Sequence, residues 1–382
     1  MSVIKREIKI LSAQPAYLMG LVVIPVALAL FFIALLSPGL PLQVPAGIVD
    51  MDNTPMSREI SRNLSATELV DFTRSYNSFN EAMDGVQRGE VMGFFIIPEN
   101  FEREAVAGRG PALSFYSNLT YYVPGSLVFK GFKTMSVTTS GKIVRTGLMD
   151  KGVSSDLAGV ALQPLAMDIH PLGNPWISYA YYLGPSFIIG CIGLMAIIMT
   201  IFSLTQEIKR GTSPQLYAAA GNRLGVALLG KLLPQTVILF IVALFCHSLM
   251  FHWNHYPMYG SEWNMILGLF LFVVACQSFG VIVVSVIPNP RLALSIGSLV
   301  SILTFSIAAF SFPVEAMYGA IGIFSYILPV RYYFLIYLDQ ALNGIPLYYS
   351  RFWYIGLLCF PVAAVLLSPL NRRWMRHPVY VP

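Results

Sequence analysis

Glu207, Lys209, Arg210, Gly211 and Thr212 set one acid and two cations around a glycine. Charges of both signs beside a turn can meet complementary charges on another protein. The amphipathic stretch that follows would carry them as a docking helix for a cytoplasmic partner, over residues 205–222. The same composition suits an ordinary charged loop at a membrane edge, and the residues alone leave the two readings open. A second candidate is Glu315, which follows Phe312 and Pro313 at the end of an apolar run. An ionisable group at that depth is a functional-site candidate, although an interfacial carboxylate can also simply be hydrated.

His247, His252 and His255 crowd the end of another apolar run, beside Trp253 and Tyr256. A His-x-x-His pair can bind a metal, but Glu262 is the only carboxylate close in sequence. Polar-tipped aromatic residues are common at this depth, so a metal site is not expected. Gly225 to Leu232 comes near a phosphate-binding loop, with Gly230 and Lys231 in place. It fails because Leu232 stands where a Ser or Thr would hold Mg²⁺, and because it opens an apolar run rather than following a strand. No metalloprotease, serine-hydrolase or kinase pattern appears, so no catalytic residue is assigned and the chain is not expected to hydrolyse ATP.

The elements that must position these residues are apolar helices. The chain of 382 residues is 56% hydrophobic and 11% charged, whereas soluble domains carry about 25% charged residues. A nucleic-acid partner is not expected, because the basic residues sit in short clusters beside apolar runs. The four cysteines, Cys191, Cys246, Cys276 and Cys359, all lie inside such runs and read as small apolar residues rather than a disulfide framework.

Residues 1–14 read as an amphipathic connector helix on the cytoplasmic surface, with Lys5, Arg6 and Lys9 on one face and Val3, Ile4, Ile8 and Leu11 on another. Residues 15–37 hold the first transmembrane helix, long enough to cross the hydrocarbon core and read as an uncleaved anchor. Five further apolar runs follow within 177–370: Ile177–Leu204, Leu224–Met250, Met265–Ile287, Leu292–Phe312 and Phe352–Leu370. Tyr318–Leu338 is apolar too, but Pro329, Arg331 and a run of tyrosines interrupt it. A re-entrant outer region over 313–345 is favoured over a seventh span.

Residues 38–176 differ, with eleven Lys/Arg and fourteen Asp/Glu. Short apolar runs at Val44–Val49, Leu69–Phe72, Val91–Ile97 and Ala112–Tyr116 predict strands. Met56–Leu64, Ser78–Arg88, Asn100–Ala107, Pro124–Lys151 and Ser154–Leu162 predict helices between and after them. The fold class is therefore a polytopic α-helical membrane protein of six transmembrane helices, with an α/β domain inserted between the first and second. The positive-inside rule orients it. Ten Lys/Arg fall in the inner loops and tails, from Lys5 to Arg376, and only Arg331 and Arg351 in the short outer segments. Both termini, including the tail 371–382, are then cytoplasmic and the insert extracytoplasmic.

Several stretches resemble the permease subunit of type-2 ABC exporters. Asp50-Met51-Asp52 through Ser57-Arg58 looks like that family's VDxDxSxxSR start of an external domain. Leu172-Gly173-Asn174-Pro175 is similar to its LFNP, with Gly173 for Phe, and Leu183-Gly184-Pro185 to its xxPG, with Ser186 for Gly. Glu207–Thr212 resembles its ExxxGT coupling element. Phe312, Pro313, Glu315, Met317, Leu328, Pro329, Arg331 and Tyr332 are similar to its outer FPxxxMP…LPxxY region, with Tyr318 replacing a proline.

The resemblance implies a homo- or heterodimer of permease subunits in a bacterial inner membrane, each docked by residues 207–212 to a cytoplasmic ABC ATPase that binds ATP and Mg²⁺; the chain itself needs no cofactor. It further implies export of a lipophilic or amphiphilic cargo, drug-like efflux being favoured. An outer gate around Phe312, Pro313, Glu315, Pro329 and Arg331 is also implied, with a periplasmic adaptor and outer-membrane protein as further partners. The competing expectation is a non-transporting scaffold or receptor whose external domain binds a partner.

Overall fold

The computed structural model describes residues 2–39, 43–65, 69–120, 122–150, 152–154, 157, 173–175, 178–308, 314, 317–376 and 378. Of the described residues 73% are helical, and the chain divides into two units, Met1–Gly39 with Pro171–Pro382, and Leu40–His170.

The first unit holds the apolar helices. A connector helix α1 (Ser2–Ala13) precedes α2 (Pro15–Leu36). Then come α7 (Tyr179–Lys209), α9 (Leu224–Trp253), α10 (Glu262–Val286), α11 (Pro290–Ile307) and α14 (Leu347–Leu367), with a short α8 (Ser213–Ala219) between α7 and α9. Among the described residues six helices are long and apolar enough to span a membrane, and the protein is a multi-pass membrane protein. Within their most apolar stretches α7 is 72% and α10 67% buried, against 22–39% for the other four. These two therefore form the centre of the bundle, while the others leave a broad apolar face for lipid. Pro25, Pro185, Pro234 and Pro361 sit inside helices. Pro25 offers no N–H to the helix, and α2 widens into a π-helical turn over Met19–Val23 just before it.

The interrupted apolar stretch forms α12 (Gly319–Ser325) and α13 (Pro329–Leu342), bent by 82° at the break between them. Pro329 occupies the first turn of α13, where its missing N–H costs nothing. A short α15 (Pro369–Arg376) closes the chain's described helices.

The second unit is built on a four-stranded sheet, β1 (Val44–Asp50), β2 (Val70–Tyr76), β3 (Gly93–Ile97) and β4 (Ser114–Ser117), in the order β2-β1-β3-β4. β1 is parallel to β2 and β3, and β4 antiparallel to β3. Helices α3 (Pro55–Ser65), α4 (Phe79–Gln87), α5 (Phe101–Val106) and α6 (Tyr122–Asp150) accompany it. All five residues of β3 are buried, as expected of a central strand covered on both faces. One face packs Ile48, Ile60, Leu64, Phe95 and Phe132, and the other Val49, Tyr76, Ala82 and Phe94. The four expected strands are present, their starts within two residues and their ends within four. The expected helix at Ser154–Leu162 lies outside the described residues except for single positions.

The Asp50–Arg58 motif acquires a structural account. Asp50 Oδ1 accepts the N–H groups of Asp52 and Asn53 at 3.1 and 3.0 Å, and Oδ2 accepts the Ser57 hydroxyl at 2.7 Å. Asp52 Oδ2 accepts the Thr54 hydroxyl at 2.6 Å and the Glu102 N–H at 3.1 Å. The two acids thus fold the turn from β1 into α3, and Asp52 anchors it to α5 by accepting a first-turn N–H that the helix leaves unpaired.

Candidate functional site

At the end of α7 the backbone turns through Gly211. The Thr212 N–H donates to the Glu207 carbonyl at 2.9 Å and the Gly211 N–H to that of Ile208 at 3.1 Å. This double closure needs a left-handed residue at the turn, and Gly211 has φ +67°. Beyond it, α8 lays Leu216 and Tyr217 onto Val3 of α1, Leu224 and Ala227 of α9, and Met375 of α15. The Ser213 hydroxyl donates to the Trp374 carbonyl at 3.4 Å, and the Arg376 guanidinium lies 5.5 Å from the Tyr217 ring centre. Lys209, Arg210, Gly211, Gln215, Ala218 and Arg223 are exposed. The segment therefore offers an outward cationic surface on a backbone held from three sides.

Glu207 points the other way. It is 6% exposed and accepts a two-pronged pair of hydrogen bonds from Arg6 of α1, both at 2.9 Å. Its Oε2 also accepts the Thr212 hydroxyl at 2.5 Å, and its Oε1 the Lys231 ammonium of α9 at 3.0 Å. Lys231, 1% exposed, donates in addition to Glu7 Oε2 at 2.8 Å. Glu7 Oε1 accepts Gln235 Nε2 at 3.2 Å and the Ser203 hydroxyl at 3.3 Å, and Gln235 Nε2 also donates to Ser203 Oγ at 2.8 Å.

Two carboxylates and two cations thus meet at the junction of α1, α7 and α9, and their formal charges cancel. Such a cluster is tolerated away from water only because each ion has close partners of opposite sign. The bond to Glu207 raises the Arg6 pKa above its ordinary value, against the opposing effect of burial.

The sequence places Glu207 among charges that would face a partner; the structure turns it inward instead, onto Arg6, Thr212 and Lys231. Glu7 and Lys231, neither expected there from the sequence, join it in the cluster. Both were visible in principle. Glu7 falls in the i, i+4 stripe Val3–Glu7–Leu11, which is the buried face of α1. Lys231 lies inside an apolar run, where a cation needs a partner. The near-match to a phosphate loop drew attention to Lys231 for the wrong chemistry.

The outer candidates are split. Phe312, Pro313 and Glu315 lie outside the described residues. Arg331 is 4% exposed at the start of α13; its Nη1 donates to Ser325 Oγ of α12 at 3.1 Å, and its guanidinium sits 4.5 Å over the Tyr326 ring. It therefore stitches the two arms of the bent pair together across the break. Pro329 is buried beside it.

Gly173 stands in the left-handed region at φ +74°, which accounts for a glycine where the resembled motif has Phe. Asn174 exchanges two hydrogen bonds with the Ser178 backbone, at 2.9 and 3.0 Å, setting the entry to α7. Of the histidines, His252 Nε2 lies 2.8 Å and His247 Nε2 3.5 Å from Glu262 Oε1, whereas His255 occupies a left-handed turn. No group of three metal-ligating side chains occurs among the described residues. The four cysteines are free thiols.

The family model described as ABC-2 family transporter protein matches residues 15–368. No curated protein is matched.

Proposed function

The chain belongs to the ABC-2 transporter family, and from that premise we propose that it is the permease subunit of an ATP-driven exporter. The observation that carries this reading is the construction around α8. A short exposed cationic segment is joined through Gly211 and Thr212 to Glu207, and through Glu207 to α1 and α9. A cytoplasmic ATPase subunit docks on the exposed side of 209–223. Hydrolysis takes place in that partner, which binds the ATP and Mg²⁺.

When the ATPases close, they push on α8. Because Glu207 is bonded to two other helices, the push displaces α1, α7 and α9 together rather than bending the loop alone. Two such subunits form the path, and the bent α12–α13 pair, stitched by Arg331, closes its outer end. Residues 40–170 form the extracytoplasmic part and serve as a gate or as a surface for an adaptor. The cargo is lipophilic or amphiphilic, taken from the cytoplasm or the inner leaflet and moved outward.

A pull-down of the tagged full chain in mild detergent, with mass spectrometry of the bound proteins, tests the reading. We expect an ATP-binding-cassette subunit that is lost when Lys209, Arg210 and Arg223 are changed to glutamate. An intact solubilised chain without any ATPase overturns it.

A further inference from the structure

An open cleft of about 550 Å³ lies between α1, α2 and α9, walled by Ile4, Ile8, Tyr17, Leu18, Leu21 and Val237. That volume lies within the range of about 300–1,000 Å³ seen for small-molecule sites. The wall offers little to a polar guest: the hydroxyl of Ser12, on its rim, is already donated to the Lys9 carbonyl at 3.1 Å. A polar ligand would lose its water here without replacement, whereas a hydrocarbon chain would not. Leu18 and Val237 are 58% and 50% exposed and belong to membrane-capable helices. The cleft is thus open toward the surroundings of the bundle, which in a membrane are lipid.

The rim has a sign. At 100° per residue, Lys5 and Lys9 stand about a quarter turn from Ile4 and Ile8 around α1, next beyond Ser12 on the rim. Both are exposed, and neither forms an ion pair among the described residues. Arg6, by contrast, is committed to Glu207. Two uncompensated cations therefore border an apolar slot at the membrane boundary. We propose that this cleft binds an acyl chain of an anionic phospholipid of the surrounding bilayer, with Lys5 and Lys9 holding the phosphate of its headgroup. A second copy of the chain is a poorer occupant, since a two-fold contact through this face would bring two lysine pairs together.

The test uses the purified full chain in nanodiscs containing a phospholipid with a photoreactive diazirine in its acyl chain, either phosphatidylglycerol or phosphatidylcholine. Labelled peptides are mapped by mass spectrometry. Labelling is expected at residues 15–23 and 233–238, roughly tenfold stronger from the anionic lipid, since each lysine near a headgroup contributes up to about a factor of five.

Lys5→Gln with Lys9→Gln should bring the two lipids level while labelling persists. Val237→Trp should abolish labelling at the cleft. The lysine variants change exposed residues, so they keep the test decisive even where the tryptophan variant misfolds. Equal labelling of the wild-type chain by both lipids, or none at the cleft, overturns the proposal. So does a Leu18→Cys cross-link between two copies. None of these outcomes depends on whether an ATPase is captured, so this site and the permease reading stand or fall separately.

Discussion

Lys231 and Glu207 meet at 3.0 Å although they stand on different helices and flank the segment that faces the cytoplasmic partner in the proposed exporter. The contact turns a loop into part of the bundle: α8 cannot tilt without moving the carboxylate that α1 and α9 share. Most of what can be tested about coupling follows from that one bond and its neighbours.

Lys231→Met leaves Glu7 without its cation in a buried site. Breaking one partner of a buried ion pair costs about 3–5 kcal/mol, so the detergent-solubilised chain should lose much of its thermal stability. Glu7→Gln combined with Lys231→Met should recover most of that loss, because neither unpaired charge remains. Thermal unfolding followed by size-exclusion recovery checks this, and a double variant no better than the single would remove Glu7 from the network.

Gly211→Leu forces a branched side chain into the left-handed region, at a cost of about 1–2 kcal/mol. Its position at the end of α7 predicts that membrane insertion survives while substrate-stimulated ATP turnover by the bound ATPase falls. Glu207→Ala should behave in the same way. Normal stimulated turnover in both variants would take coupling away from this segment.

At the other end of the bundle, Arg331→Met removes the guanidinium that joins α12 to α13. We expect transport to fall while ATPase capture is unchanged, and Arg331→Lys to restore little, since an ammonium cannot both reach Ser325 and stack on Tyr326. Glu315→Ala should impair transport with the same sparing of ATPase capture; unchanged transport would return that carboxylate to a hydrated interfacial role. Transport assays in vesicles beside pull-downs separate the effects.

Asp50→Ala removes the acceptor for two backbone N–H groups and for the Ser57 hydroxyl. A hydrogen bond to a charged group is worth about 1.5–3 kcal/mol, so the turn into α3 should loosen. Limited proteolysis of the full chain should show earlier cleavage between β1 and α3, with the apolar helices unaffected.

The membrane helices were legible because length and hydropathy alone demand them; the expected run Leu224–Met250 starts where α9 does. The strands were legible for a similar reason, as short β-branched and aromatic runs between turn residues. What the sequence hid was convergence. Glu7, Glu207 and Lys231 lie on three segments, and no periodicity within one segment reports on the others. The ExxxGT resemblance marked Glu207 but not its direction, since a motif records residue types and not which way a side chain turns. The Asp50–Ser57 stretch likewise reads in the sequence only as a family motif, while the hydrogen bonds show it tying the turn between β1 and α3.

The ion cluster also sets an order of events during biosynthesis. Glu7 leaves the ribosome 224 residues before the lysine that neutralises it. At about 5–20 residues per second, the first helix waits roughly 11–45 s for that partner. Throughout that interval its carboxylate must stay hydrated, so α1 can settle into its final place only after the third span has arrived. A nascent chain that stalls before Lys231 therefore keeps its amino-terminal helix undocked, although that helix was the first to be made.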